Sequence, residues 1–469
     1  GEIEESSANN LADLLKLAGS VHIKDNGALM SQKDVVIRGL KETRILILID
    51  GLAISSPHDG SSTLESIPVE LIDRIEILKS AGSAIYGPNA MGGVINVITK
   101  TGEDVDKTKI NLSIGSYNTK KMSLSHSFKN KKSSTILIYD NLYAEGNIPE
   151  SMIDRDDLFI KTKLSLSKKT DLSYSLKLNE TEIDYPGSTT GGFGSKEEKD
   201  MQINISAHQK LEDKDRKLKF NILDRDSLFI NFNSLTETNR ISLNYSEQIF
   251  FSKNDLIYGF DIKRENSKYS SYNETNVNNA LFFENKYSIN NKNNINLGLR
   301  FDDHEEYGSE LSPRIGYLYK LNKNLNINLN YNESFRAPTF SELYYPLNWG
   351  GNPDLEPEKT KSYEISFKYQ KDNCNRQFSL FQRDGENYIA TKPVEGQFYN
   401  RYTNFDSVTI KGAEFITNRS INENWNFGFN YTYLDARNDT NDSSLIDIPY
   451  NQANLKINYQ KDDLKYVLK

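Results

Sequence analysis

The sequence predicts an all-β transmembrane barrel preceded by a small α/β domain. Three observations carry that expectation. Most of the chain repeats segments of about eight to eleven residues in which apolar and polar side chains alternate with the strand period of two. The connections between those segments are alternately short and long. The composition is polar yet rich in aromatics: hydrophobic residues make up 37% and mean hydropathy is -0.64, while 27 Tyr and 22 Phe are present.

A disordered chain is also polar but poor in aromatics, so the Tyr and Phe content argues for a fold with a large water-facing surface. At 469 residues the chain exceeds what one ordinary core sustains, which leaves several domains or one large closed architecture. No apolar run approaches the roughly 18 residues of a membrane helix; the longest comparable stretch is Ile45–Ile49, the length of a buried strand. If such a chain spans a bilayer it does so as a closed barrel, the one alternative to a helix that satisfies every backbone polar group in lipid. A net charge of -8 argues against a nucleic-acid binder, which shows a basic stripe. The lone Cys374 makes no internal disulfide. The acidic and small residues at the start do not read as a signal peptide, which needs a basic start and an apolar core.

Residues 1–102 mix helical and strand patterns, and residues 103–469 read as strand after strand. In the first region, 10–17 spaces apolar residues at helical intervals behind Asn10, a capping residue, and Gly19 stops the pattern, so one short amphipathic helix is expected. Ile45–Ile49 is continuously apolar and closes on Asp50-Gly51, a buried strand ended by a tight turn. A second helix is expected over 68–74, giving way to an alternating strand over 75–78. Gly92-Gly93 precede a strand over 94–98 and suit a bend or a close backbone approach.

In the second region Ile110, Leu112 and Ile114 alternate with Asn111 and Ser113, and Trp425, Phe427, Phe429, Tyr431 and Tyr433 alternate with Asn426, Gly428, Asn430 and Thr432. A soluble sandwich would alternate in the same way, so the connections decide. Short polar turns fall at 129–133, 167–170, 252–255, 290–294, 321–324, 370–375, 420–424 and 460–463. Long connections lie between them at 144–156, 181–200, 264–278, 302–313, 332–360, 383–406 and 435–447. Short turns on one side and long loops on the other mark an up-and-down outer-membrane barrel. About eighteen strands are complete and another starts at Leu464. A sheet of that size left open would present a bare, aggregation-prone edge, so the natural chain is expected to continue.

Four ordered motifs of the first region are Val35-Val36-Ile37-Arg38-Gly39, Ile47-Leu48-Ile49-Asp50-Gly51, Ile72-Asp73-Arg74-Ile75-Glu76-Ile77, and Ser83-Ala84-Ile85-Tyr86-Gly87 with Gly92-Gly93-Val94-Ile95-Asn96-Val97-Ile98-Thr99. Together they resemble the plug domain of TonB-dependent receptors. Ser334-Phe335-Arg336-Ala337-Pro338, Gly351-Asn352-Pro353-Asp354-Leu355-Glu356-Pro357-Glu358 and Tyr363-Glu364 resemble the late-barrel segment of the same family. The resemblance covers nearly the whole chain, although Lys79-Ser80-Ala81-Gly82 stands where the family usually has Arg-Gly-Pro. In size and plug spacing the chain is similar to the cobalamin-receptor subgroup, whose barrel has about twenty-two strands around a plugged lumen. The resemblance therefore implies a plug over 1–102 and a barrel over 103–469, with the final strands and the upstream TonB box missing.

That resemblance also assigns candidate residues. It makes 24–32 and 55–63 the plug loops that face outward, offering Asp25, Asn26 and Gly27 from the first and Ser55, Ser56, His58, Asp59, Ser61 and Ser62 from the second. These small, hydrogen-bonding groups suit a large polar ligand; equally, they suit an ordinary polar loop. Tyr185, Phe193, Tyr269, Tyr272, Tyr344, Tyr345 and Trp349 in the barrel loops supply either ligand contacts or the aromatic girdle at the membrane interface. Arg38, Asp50, Arg74 and Glu76 are charges flanked by apolar strands and need partners inside a lumen, as plug-to-barrel ion pairs or as contacts within the plug. Asp154, Asp156 and Asp157 form either a Ca²⁺ site or a solvated acidic loop. The five histidines show no metal-ligand spacing.

The function implied by the resemblance is active import across the outer membrane of a Gram-negative bacterium, by a monomer in outer-membrane lipid. The TonB-ExbB-ExbD complex would supply the energy. Cobalamin or another corrinoid leads as ligand, with a ferric siderophore or haem as alternative; a passive porin and a surface adhesin are the rival classes. No nucleophile elbow, phosphate loop or zinc pattern is present, so the chain is expected to be no enzyme and to need no cofactor.

Overall fold

The computed structural model describes residues 3, 8–18, 21–25, 33–103, 107–148, 151–185, 194–461 and 464–468. The first region begins with helix α1, Leu11–Leu17, whose Asn10 side chain accepts from Asp13 N at 3.0 Å and so caps a free amide. A three-stranded antiparallel sheet follows, formed by β1 (His22–Asp25), β2 (Lys33–Ile37) and β3 (Leu40–Lys41). A second sheet contains β4 (Ile45–Ile49), β5 (Leu52–Ala53), β6 (Ile72–Leu78) and β7 (Gly93–Thr99) in the order β5-β4-β7-β6. β4 runs parallel to β7 and is buried along its whole length, which accounts for its unbroken apolar sequence.

Helix α2, Ser83–Tyr86, fills the turn between β6 and β7. The helix expected over 68–74 shrinks to a single 3₁₀ turn, Val69–Leu71. Ile72, Ile75 and Ile77 are β-branched and pair with β7 instead, so the strand starts earlier than the helical spacing suggested.

This domain sits inside the barrel. Its core, built on Leu11, Leu15, Ile37, Ile47, Leu71 and Ile95, continues without a break into Ile136, Ile138 and Phe159 of the barrel wall. On another side Leu40 and Met91 pack on Phe381, Val408, Ile410 and Leu434. Among the described residues the barrel has nineteen strands of five residues or more, from Thr108–Ile114 to Leu464–Leu468, and a two-residue strand, Ser443–Ser444. They follow one another in sequence order and close into a ring, so among the described residues the sheet has no open edge of the kind that would template aggregation. Ser133–Ala144 alternates strictly between buried and half-buried positions, the signature of one face toward the plug and one toward lipid. Outward residues such as Leu281, Leu299, Ile315 and Leu380 are exposed, while inward ones such as Arg155, Arg300 and Glu414 are buried.

The short turns lie on one rim, and four of them share a device: Asn130, Asn290, Asn322 and Asn422 each accept from two backbone amides two and three residues on, at 2.8–3.0 Å. On the other rim several expected long loops are strand. Asn254–Tyr269 and Tyr272–Ser288 pair up to Tyr269 with Tyr272, leaving two residues of the expected 264–278 loop. The loops expected over 144–156 and 181–200 likewise shorten, because strands such as Met152–Ser167 and Thr170–Tyr185 run for 16 residues. About nine to eleven residues cross a bilayer, so these ladders continue into water, where polar side chains on both faces erase the alternation although the backbone pairing persists.

Candidate functional site

After β5 the chain turns upward through residues 55–62, the outward tip of the plug. Ser56 N donates to Ser61 O at 2.7 Å and Gly60 N to Ser56 O at 2.9 Å. The Asp59 carboxylate accepts from Ser61 N at 3.0 Å and Ser61 Oγ at 2.7 Å, which leaves Asp59 exposed at the tip. Ser55, Ser56 and Ser62 are buried rather than facing outward.

This loop drives His58 into a ring of barrel aromatics. His58 Nδ1 lies 2.5 Å from Tyr272 Oη and Nε2 lies 2.8 Å from Tyr345 Oη. Tyr269 stands 5.9 Å from the imidazole by ring centroid, and Trp349 packs 6.1 Å from Tyr269 and 6.0 Å from Tyr345. Tyr344 lies against Tyr272 at 5.7 Å. The barrel side is fixed by helix α3, Phe340–Tyr344, which Thr339 and Glu342 cap reciprocally, and Ser341 N donates to His58 O at 2.8 Å. Six of the candidates thus meet at one place: His58, Tyr269, Tyr272, Tyr344, Tyr345 and Trp349. The cage is closed below, with His58 at 6% exposure, and open at its rim, where Trp349 is 52% exposed.

Burial holds the His58 imidazole below its usual range, with the Asp59 charge opposing and Lys196 adding to the shift. The cations nearby are themselves paired. Lys196 bonds Glu198, and Arg225 Nη2 donates to Asp200 at 2.8 Å. The Asp25 side chain, Asn26, Gly27, the Tyr185 side chain and Phe193 lie outside the described residues.

The plug is clamped to the wall by buried charges. Arg38, at φ +47°, reaches Glu364 at 3.0 Å and Glu414 at 2.9 Å and lies over the Phe381 ring. Lys79 bonds the other oxygen of Glu414 at 3.0 Å, so the lysine that departs from the family motif still supplies a cation. Asp50 accepts from Thr99 N and Oγ1 inside the plug and pairs with Lys161 of the wall at 2.9 Å, while Lys219 donates to its carbonyl. Arg74 and Glu76 are a correction to the ion-pair expectation: they bond each other at 2.9 Å and are more than half exposed, on the outward side of β6.

The acidic triplet is a second correction. Strand alternation puts Asp154 and Asp156 on the outer face and Asp157 on the inner face, where Arg155 and Lys177 neutralise it. They do not form one ligand set, and among the described residues no group of three or more His, Cys, Asp or Glu could hold a metal ion.

Sequence reasoning missed several groups. Arg44 bonds Glu358 at 2.8 and 2.6 Å, and Arg336 joins Glu358 to Glu342. Arg336 and Glu358 stood in the quoted late-barrel motifs, which was the available signal. Arg383 had none. It is buried in the wall, binds no carboxylate among the described residues, and donates to Ile37 O, Arg38 O, Lys79 O and Gly92 O at 2.9–3.5 Å, stapling both plug sheets.

A closed up-and-down barrel occluded by an α/β plug, clamped by buried ion pairs and capped by an aromatic cage, defines a gated outer-membrane receptor. The chain belongs to the TonB-dependent receptor family: residues 103–468 match the TonB dependent receptor-like β-barrel and residues 1–94 the TonB-dependent receptor plug domain. It is 24% identical to the vitamin B12 transporter BtuB of Photobacterium profundum over 478 residues, covering 98% of this chain and 78% of the relative. Among solved structures it is similar to the siderophore receptor PirA of Pseudomonas aeruginosa, with a TM-score of 0.82, 19% identity, and 98% and 87% of the two chains covered. It is also similar to a mutant of the ferric enterobactin receptor PfeA of Pseudomonas aeruginosa, with a TM-score of 0.83, 15% identity, and 97% and 82% covered. The protein is an outer-membrane receptor and transporter of a Gram-negative bacterium, not an enzyme.

Proposed function

We propose that this receptor imports a corrinoid. The observation that carries the reading is the charge character of the apex: aromatic rings, a neutral imidazole and an exposed carboxylate, beside cations that are already paired. Rings with polar edges suit a large, amide-rich ligand of little net charge. A trianionic ferric catecholate would meet Asp59 unfavourably and find no free cation among the described residues of the cage. The likeness to a vitamin B12 transporter supports the same choice.

In this reading ligand settles on Trp349 and Asp59 and draws Tyr345 away from His58. Because His58 belongs to the plug and Tyr345 to the barrel, losing that bond weakens the apical hold on the plug. The TonB complex then pulls the plug from the periplasmic side, and no bond is made or broken in the chain. Equilibrium binding of cyanocobalamin to the detergent-refolded protein, with a ferric tris-catecholate as competitor, tests this. Saturable corrinoid binding that the catecholate leaves unchanged is expected; catecholate binding without corrinoid binding would move the receptor to the siderophore importers.

A further inference from the structure

Below the apex the plug does not fill the barrel. A cavity of about 350 Å³ separates β4, β5 and the segment after α2 from the inner wall between Lys214–Phe229 and Asn293–His304. It extends from Ser55 in the apical loop to Ser246, close to the periplasmic turns. Five cations line it, Lys217, Lys219, Arg240, Lys263 and Arg300, against one carboxylate, Asp261.

The groups behind the lining do not cancel that surplus. Arg240 and Lys263 share the single carboxylate of Glu265, at 2.7 and 2.9 Å. Arg300 is held by Asp302 and Asp261. Lys219 donates to the backbone carbonyl of Asp50, whose carboxylate is taken by Lys161. Six cations therefore face four carboxylates, an excess of two positive charges. Lys217 borders the cavity at its solvent-exposed end and has no ion pair among the described residues.

A second, independent observation points to a ligand. Asn278, 2% exposed, lines the same cavity; its Nδ2 donates to Asp302 at 3.0 Å, which fixes the amide, and its Oδ1 is left buried without a partner. An orphaned buried acceptor is costly and uncommon, and it calls for a donor that the protein does not supply.

We propose that this gap is an oxyanion site: it takes a phosphate or carboxylate group that also presents an O–H or N–H to Asn278. Lys219, Arg240, Lys263 and Arg300, held in place and partly desolvated, attract the charge, and the orphan oxygen selects an anion able to donate. Lying between the apical loop and the periplasmic rim, the site is placed to receive an acidic part of a solute moving down this wall. It does not depend on which ligand occupies the cage.

The test uses the refolded receptor crystallised in detergent and soaked at neutral pH with arsenate, a phosphate analogue that keeps an O–H and whose anomalous scattering locates it directly, beside calorimetric titration with inorganic phosphate and with citrate. An anomalous peak beside Lys263 and Asn278, which face each other across neighbouring strands, is expected, together with saturable binding that falls at least tenfold in Lys263→Gln and is restored in Lys263→Arg. Phosphate binding without citrate binding, or the reverse, would name the anionic group. A folded barrel with no peak in the gap, or a peak that survives in both Lys263→Gln and Asn278→Leu and so marks an adventitious ion only, overturns the proposal. Either outcome leaves the corrinoid assignment untouched, because no cage residue is altered.

Discussion

Replacing Glu414 by Gln removes the carboxylate on which two plug cations converge. Arg38 and Glu414 side chains are 3% and 0% exposed, and Lys79 shares the same carboxylate. Taking one partner from a buried pair costs about 3–5 kcal/mol, because the remaining charge stays desolvated. Glu364 softens the loss for Arg38, which places the expected cost near the lower bound, about 3 kcal/mol, or roughly a hundredfold in the equilibrium for plug release. Native-state hydrogen exchange at Val35, Val36 and Ile37 measures that equilibrium directly. Replacing Arg38 and Glu414 together by Met and Leu should recover part of the loss, since the most deeply buried cation is no longer stranded, although Lys79 and Glu364 each lose a partner. Glu76→Gln, at an exposed pair, should change plug protection by less than about 1 kcal/mol. The reasoning is refuted if Glu414→Gln leaves plug exchange within about 1 kcal/mol of wild type, or if Glu76→Gln matches it.

Arg383→Met should release both plug sheets from the wall, read as leak conductance in planar bilayers that wild type lacks, with Arg383→Lys intermediate because one ammonium cannot reach all four carbonyls. Gly39→Ala should lower the melting temperature by the equivalent of about 1–3 kcal/mol: Gly39 holds φ +82° and an added Cβ would meet Ile410 at 3.1 Å. The apical cage should lose stability in acid. Its histidine is held neutral, so as pH falls through about 6.5 the unfolded chain takes up a proton that the folded one refuses; stability is full above that value and declines below it. Thermal melts at about pH 7.5 and about pH 5 should show the drop in wild type and a smaller one in His58→Gln, and equal drops in both would remove His58 as the cause.

Local patterns carried much of the fold. The Asn10 cap, the buried run Ile45–Ile49 and the turns at 167–170, 290–294 and 420–424 stand where the sequence put them, because each is decided by neighbours in the chain. The upper halves of the strands were hidden: over 264–278 both faces are polar, and only the partner strand shows that the ladder continues. The acidic triplet was legible and misread, since the period of two already places Asp156 and Asp157 on opposite faces. The cage residues were named individually, but their convergence was not visible, because His58 and Tyr345 are 287 residues apart. The clamps are more distant still, with Arg38 bonded to Glu414 across 376 positions, and nothing in the sequence around Arg383 distinguishes it from a strand arginine facing water.

The chain has two tryptophans, and they lie at opposite ends of the barrel: Trp349 at the rim of the cage and Trp425 beside a short turn. In Trp425→Phe the remaining tryptophan reports on the apex alone, so the most direct measurement is its fluorescence during titration with cyanocobalamin. Corrinoid import through this cage predicts saturable quenching of Trp349, absent in Trp349→Phe, which retains only Trp425. Unchanged Trp349 emission in a folded barrel, at corrinoid concentrations far above those at which a receptor must work, would contradict both the ligand and its site.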